Sequence, residues 1–152
     1  MKRILIFCPE NACRSQIMEA YLKFYAGNQV EVFSAGTQPG QLHPYAKAVM
    51  EEDGLDLKNH YPKELKSLPY HKFDHIIFAC EQCQDLLPSK FKARKTFQFN
   101  IPLPVLQEGA THLQLLQSFR GMRNTIQKKL LIYIGKELSE SPDTSPLQAL
   151  YS

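Results

Sequence analysis

Apolar positions along this chain fall alternately into short unbroken runs and into stepped stripes. Ile4-Leu5-Ile6-Phe7 is an unbroken run of β-forming residues, the pattern of a strand buried on both faces as in a parallel sheet. From Ser15 the period changes. Ile17, Met18, Tyr21, Leu22 and Tyr25 recur at helical spacing with Glu19 and Lys23 among the polar positions, which predicts a helix beginning near Arg14 or Ser15. Val30–Ser34 reads as a second strand, and His43-Pro44 opens a helix whose inner face is Ala46, Val49 and Met50. Phe73–Cys80 reads as a third strand, and Thr96–Pro102 as the last strand with its exit loop. Leu113, Leu116, Phe119, Met122, Ile126 and Leu130 then step through a long amphipathic helix. Pro102–Gly109 is expected to be a lid or a partner surface. Residues 139–152, rich in serine and interrupted by Pro142 and Pro146, read as a flexible tail behind a folded domain of residues 1–138.

Between the first run and the first stripe lies Cys8-Pro9-Glu10-Asn11-Ala12-Cys13-Arg14-Ser15. A polar loop between a strand and a helix N-terminus suits a tetrahedral oxyanion, because backbone N–H groups converge on it and the helix dipole adds positive potential. Cys8 would lie at the base of that cradle, where the same field should lower its pKa toward the thiolate. Arg14 offers a planar fork for two oxygens at once. Ser15 is placed to donate to the Cys8 thiolate, and Asn11 suits a left-handed position that closes the loop. Pro9, Glu10, Ala12 and Cys13 complete the oxyanion loop, although Glu10 is an acid where anions should bind.

Cys8 through Ser15, Gln16, Glu19, the Ser34-Ala35-Gly36 triplet and the Asn59-His60 pair resemble the low-molecular-weight protein tyrosine phosphatases and their relatives, the thioredoxin-coupled arsenate reductases. The resemblance runs from Met1 to about Leu138. It implies a single α/β domain, a four-stranded parallel sheet flanked by helices, with the phosphate-binding loop after the first strand. It also places the irregular connection Leu55–Lys63 beside that loop. There His60 is expected near the redox cysteines, or solvated as an ordinary loop histidine. Lys63 stands where many of the reductases have an acid that helps hold potassium, so either its ammonium replaces the cation or the site is gone. Ser34 is expected to support Asn11, or to bond within its own loop.

Cys80 closes the third strand, with Cys83 three residues on; this C-x-x-C spacing permits a disulfide and is common in redox pairs. In the reductase branch a cysteine at this strand end attacks the nucleophile and another resolves the new disulfide. Cys80 matches the first role and Cys83 the second, across a shorter gap than usual. The alternative use of four cysteines is a zinc site completed by Cys8 and Cys13. Family members usually carry Asp-Pro after the last strand, the aspartate acting as general acid. Here Asn100-Ile101-Pro102 stands there: Ile101→Asp would recreate the pair, Asn100→Asp tests the alternative register, and Glu108 is the nearest acid beyond. The loss weighs more against phosphomonoester hydrolysis than against arsenate reduction.

The 152 residues, 43% hydrophobic and 22% charged, suit one domain with an adequate core. The apolar run before Pro9 is too short for a signal sequence, so a cytoplasmic protein with reduced cysteines is expected, with no membrane partner. A net charge of +3 with dispersed basic residues fits an oxyanion ligand and not a nucleic acid. The reading is an arsenate reductase-like enzyme using a Cys8, Cys80, Cys83 relay. It takes a small oxyanion, with thioredoxin as reductant and no cofactor or resident metal. A weak phosphatase acting on phosphotyrosine, and a catalytically silent phosphate or phosphoprotein binder, stay open beside it.

Overall fold

Four strands form one parallel sheet: β1 (Lys2–Phe7), β2 (Val30–Ala35), β3 (Lys72–Phe78) and β4 (Lys92–Gln98), in the order β2-β1-β3-β4. The computed structural model describes residues 1–104 and 107–138. Around the sheet lie α1 (Arg14–Ala26), α2 (Pro44–Glu52), the short α3 (Cys83–Leu86) and α4 (His112–Tyr133), the last continued by a π-helical turn over Ile134–Leu138. This is the single-domain α/β arrangement that the resemblance implies. The tail expected from residue 139 lies outside the described residues, as do positions 105 and 106 of the expected lid.

A central strand of a parallel sheet buries both faces, and the period of two divides β1 between two cores. Ile4, Ile6 and Cys8 share one core with residues of α1, α2 and α4, including Ile17, Met18, Val49, Met50, Phe119, Ile126 and Leu130. Leu5 and Phe7 face the other, with Ile76, Phe78, Leu65, Phe91 and Cys83. A fully buried side chain of this size contributes about 1.5–3 kcal/mol, so the first strand alone is a large part of what holds the site. Cys8 continues the alternation one step past the strand, and its backbone N–H still donates to Ala35 at 3.4 Å.

β4 begins four residues earlier than the apolar pattern suggests. Lys92, Arg94 and Lys95 are exposed on this edge strand, and charge on an edge is how sheets discourage further pairing. Helix starts agree with the sequence: α1 begins at Arg14, and α2 has Pro44 at its first position behind a His43 cap. Among the described residues no helix is long and apolar enough to cross a membrane.

Candidate active site

The loop from Cys8 to Arg14 is held from outside through its carbonyls. The Pro9, Glu10 and Ala12 oxygens accept from the N–H groups of Gln38, Gly40 and His43 at 2.9, 2.9 and 3.2 Å, and Cys8 O accepts from Asn11 N–H at 3.1 Å. With its carbonyls turned out, the loop has donors to turn in. Among the described residues the Ala12 and Cys13 N–H groups have no protein acceptor, and α1 has no side-chain cap. Gly36 permits this closeness: a Cβ there would collide with the Pro9 and Cys8 carbonyl oxygens.

Asn11 takes the left-handed conformation expected of it, φ 48°. Its Nδ2 donates to Ser15 Oγ at 2.8 Å, and its Oδ1 accepts from Gln16 Nε2 at 2.9 Å and from Lys63 N–H at 2.8 Å. Gln16 Nε2 also reaches the Asn11 and Tyr61 carbonyls, both at 2.9 Å, tying the loop to the 59–63 connection. Ser15 is thus engaged with Asn11, and among the described residues no hydrogen bond joins it to Cys8, unlike the expected donation.

Cys8 is 4% exposed, and burial pushes its pKa up from the ordinary thiol value. The Arg14 guanidinium and the Glu10 N–H pull the other way and Glu10's own charge adds to the rise, so the expected lowering is not found. Around this buried sulfur desolvation outweighs the positive field. Cys13 is buried too and pushed up to about 12, chiefly by desolvation. Glu10 itself is exposed at the rim.

Arg14 Nη1 donates to the Ile101 carbonyl at 2.7 Å, and its Nε is buried without a partner. A cavity of about 100 Å³ opens onto Cys8, Cys13 and Arg14 beneath Leu103. A wider one of about 390 Å³ joins Arg14 to Cys80, Asn100 and Ile101. Ile101 is 1% exposed and its N–H donates to Ala79 O at 2.9 Å, so its side chain belongs to the core and cannot present an acid. Asn100 is the exposed residue of the pair, held at φ 50° with Oδ1 accepting from Gln98 Nε2 at 2.8 Å. Glu108 is exposed and lines neither cavity.

Cys80 and Cys83 are joined in a disulfide with Cα atoms 5.3 Å apart, while Cys8 and Cys13 are free thiols. The sulfurs of Cys8, Cys80 and Cys83 all lie within 4.8 Å of one another. Adjacent strands bring them together, since β1 pairs with β3 up to Phe7 and Phe78 and the Ala79 N–H donates to Phe7 O at 3.1 Å. Cys13 is outside that trio, which removes the fourth ligand from the zinc alternative.

Ser34 and His60 are placed differently from expectation. Ser34 Oγ donates to Glu19 Oε1 at 2.7 Å, and His60 Nδ1 lies 3.7 Å from the same oxygen, away from the cysteines. Glu19 is 3% exposed behind the loop. Burial pushes its pKa up, but His60, Lys63, Lys23 and Ser34 overcome that and hold it at about 2. Lys63 Nζ lies 3.6 Å from Glu19 Oε1 and donates to Tyr61 O at 2.8 Å, so an ammonium already faces the carboxylate where a bound cation is the alternative. The sequence marks Glu19 as a polar helix position and as part of the family resemblance, but assigns it no role. Its i,i+4 spacing from Ser15 was the available signal, because both then share the face toward the loop.

Comparison with known proteins agrees with this geometry. A family model described as low molecular weight phosphotyrosine protein phosphatase matches residues 3–130. The glutaredoxin arsenate reductase of Synechocystis sp. is 28% identical over 137 residues, covering 90% of this chain and 98% of that protein. A solved arsenate reductase in its phosphate-binding state superposes with TM-score 0.70 at 25% identity, covering 90% of this chain and 98% of the other. The thioredoxin-dependent arsenate reductase of Corynebacterium glutamicum superposes with TM-score 0.59 at 27% identity, covering 90% of this chain and 63% of that one.

Proposed function

The chain belongs to the low molecular weight phosphotyrosine protein phosphatase family, and within it we propose that it reduces arsenate with a three-cysteine relay. The observation that carries this is the Cys80–Cys83 disulfide with the free Cys8 sulfur within 4.8 Å of both partners. Plain phosphoester hydrolysis gives no use to that pair.

Arsenate enters the cradle against the inward N–H groups and Arg14, whose unpartnered Nε is available to one of its oxygens. Cys8 as thiolate attacks arsenic and one oxygen leaves as water, forming an S–As bond. The Cys80 thiolate then attacks Cys8 sulfur. The S–As electron pair goes to arsenic, arsenite leaves, and a Cys8–Cys80 disulfide remains. Cys83 attacks Cys80, releasing Cys8 as thiolate and forming the Cys80–Cys83 disulfide. An external dithiol of the thioredoxin or glutaredoxin class supplies the two electrons that reopen it, which puts the reaction in a reducing cytoplasm. Arg14 holds the ligand, Asn11 and Gln16 fix the loop, and Glu19 with Lys63, Ser34 and His60 buttresses it from behind.

The unpartnered Arg14 Nε and the uncapped α1 equally suit a phosphoryl group, which favours tyrosine phosphatase activity as the second reading. The exit loop presents Asn100 where a proton donor is needed, and losing a general acid typically costs about 10²–10⁴ in rate. The test is arsenate-dependent NADPH oxidation with thioredoxin or glutaredoxin and their reductases, run beside hydrolysis of an aryl phosphate. Cys80→Ser should abolish the first and spare the second; a wild type that hydrolyses the ester yet ignores arsenate would overturn the reductase reading.

A further inference from the structure

Once the disulfide opens, three thiols are left facing one another in a buried corner, and the relay uses them only in succession. We propose that reduced Cys8, Cys80 and Cys83 together form a binding site for arsenite, a trivalent, thiophilic oxyacid. The idea takes from the proposed arsenate reduction only the identity of the ligand; the site stands on its own geometry.

The three sulfurs already lie within 4.8 Å of one another, two from a C-x-x-C turn and one from the neighbouring strand end. Soft thiolates select soft ions. A trivalent metalloid takes three sulfurs in a pyramid and keeps a lone pair at the apex, so the trio completes its coordination. The product is neutral, which suits a place where Cys8 is 4% exposed and Cys83 is 0% exposed, since burying net charge is expensive. Zinc would want a fourth ligand, and Cys13 lies outside the cluster. Entry is open on both sides of Arg14, which lines the cavity onto Cys8 and the one onto Cys80.

The chemistry balances without any redox step. Arsenous acid gives up three hydroxyl groups, each leaving as water with one thiol proton, and three As–S bonds form while arsenic stays trivalent. Holding arsenite and closing the Cys80–Cys83 disulfide are therefore mutually exclusive. Arsenite released at this spot would compete with the next turnover until it leaves.

The test uses the full chain, reduced with a phosphine, which unlike a dithiol does not chelate arsenite, then desalted without air and titrated with arsenite. We expect one arsenite per chain and three As–S bonds by X-ray absorption at the arsenic edge. No binding is expected by the chain carrying the Cys80–Cys83 disulfide. Cys8→Ser should weaken binding at least tenfold, that is by about 1.4 kcal/mol or more. The coordination number is read on the wild-type chain, so it does not depend on a variant folding. Two As–S bonds, undiminished binding by Cys8→Ser, or displacement of arsenite by equimolar zinc(II) would each overturn the site. Arsenate turnover measured in parallel separates the two ideas: turnover without three As–S bonds leaves the reductase reading standing and removes this site, and three As–S bonds without turnover does the reverse.

Discussion

Cys80 donates its backbone N–H to Cys83 Sγ at 3.2 Å, across the disulfide that joins them. Cys83 is fully buried, whereas Cys80 is half-buried and lines the wider cavity. The pair is therefore polarised. An incoming thiolate can reach only Cys80, and the sulfur it expels already has a donor that stabilises it as thiolate.

External thiols should thus form their mixed disulfide on Cys80. Brief exposure of the oxidised chain to limiting glutathione, acid quench and fragmentation of the 73–90 peptide should place the adduct there. An adduct mainly on Cys83 would show that the short helix α3 opens before attack.

The ammonium of Lys63 stands 3.6 Å from the buried Glu19 carboxylate. Wild-type activity and melting temperature should therefore be the same in potassium chloride and in tetramethylammonium chloride at equal ionic strength. Lys63→Met strips the carboxylate of that charge, and this variant should gain stability and activity on adding potassium. A wild type that already needs potassium would contradict the arrangement.

Much of this was legible in the sequence where the chemistry is local. The run Ile4–Phe7, the C-x5-R spacing and the stripe from Ile17 place the strand end, the loop and the helix start where they are, with β1 beginning two residues earlier at Lys2, because a buried parallel strand and an amphipathic helix are each set by their own period. What escaped depends on which elements meet. Ser34 turns to Glu19 because the end of β2 lies over the inner face of α1, a relation that no spacing encodes. Adjacency to Pro102 favours Ile101 over Asn100 as the Asp-Pro position, yet the ladder continuing from Ala79 turns the Ile101 side chain into the core. The Cys8 pKa went the other way because a field argument leaves out desolvation, which depends on what covers the sulfur.

That balance at Cys8 predicts a pH profile. With the thiol pKa raised, the rate of arsenate-dependent single turnover should still climb as pH rises above neutral, following ionisation of Cys8. Glu10 contributes to the rise through its charge, so Glu10→Gln should move this limb to lower pH and raise the rate at pH 7. Rapid-quench rates across pH 6 to 10 decide it, and an unmoved limb would mean that the rim carboxylate is screened from the sulfur.

The missing general acid gives the most discriminating variant, and the structure decides between the two registers that the sequence offers. Ile101→Asp puts a carboxylate into the core at a 1% exposed position, which should cost about 3 kcal/mol or more of stability and yield no better phosphatase. Asn100→Asp is isosteric and tolerates the left-handed backbone at φ 50°. It keeps the acceptor for Gln98 and places an ionisable group on the cavity shared by Arg14 and Cys80. Phosphotyrosine hydrolysis should rise by about tenfold, a modest share of what general acids supply, and the gain should fade as pH rises and the new carboxyl loses its proton. Activated aryl phosphates, whose leaving groups need no proton, should gain little. If phosphotyrosine turnover stays flat while wild type already cleaves it as well as the activated esters, the proton comes from elsewhere, and the case for reduction over hydrolysis then rests on the three sulfurs alone.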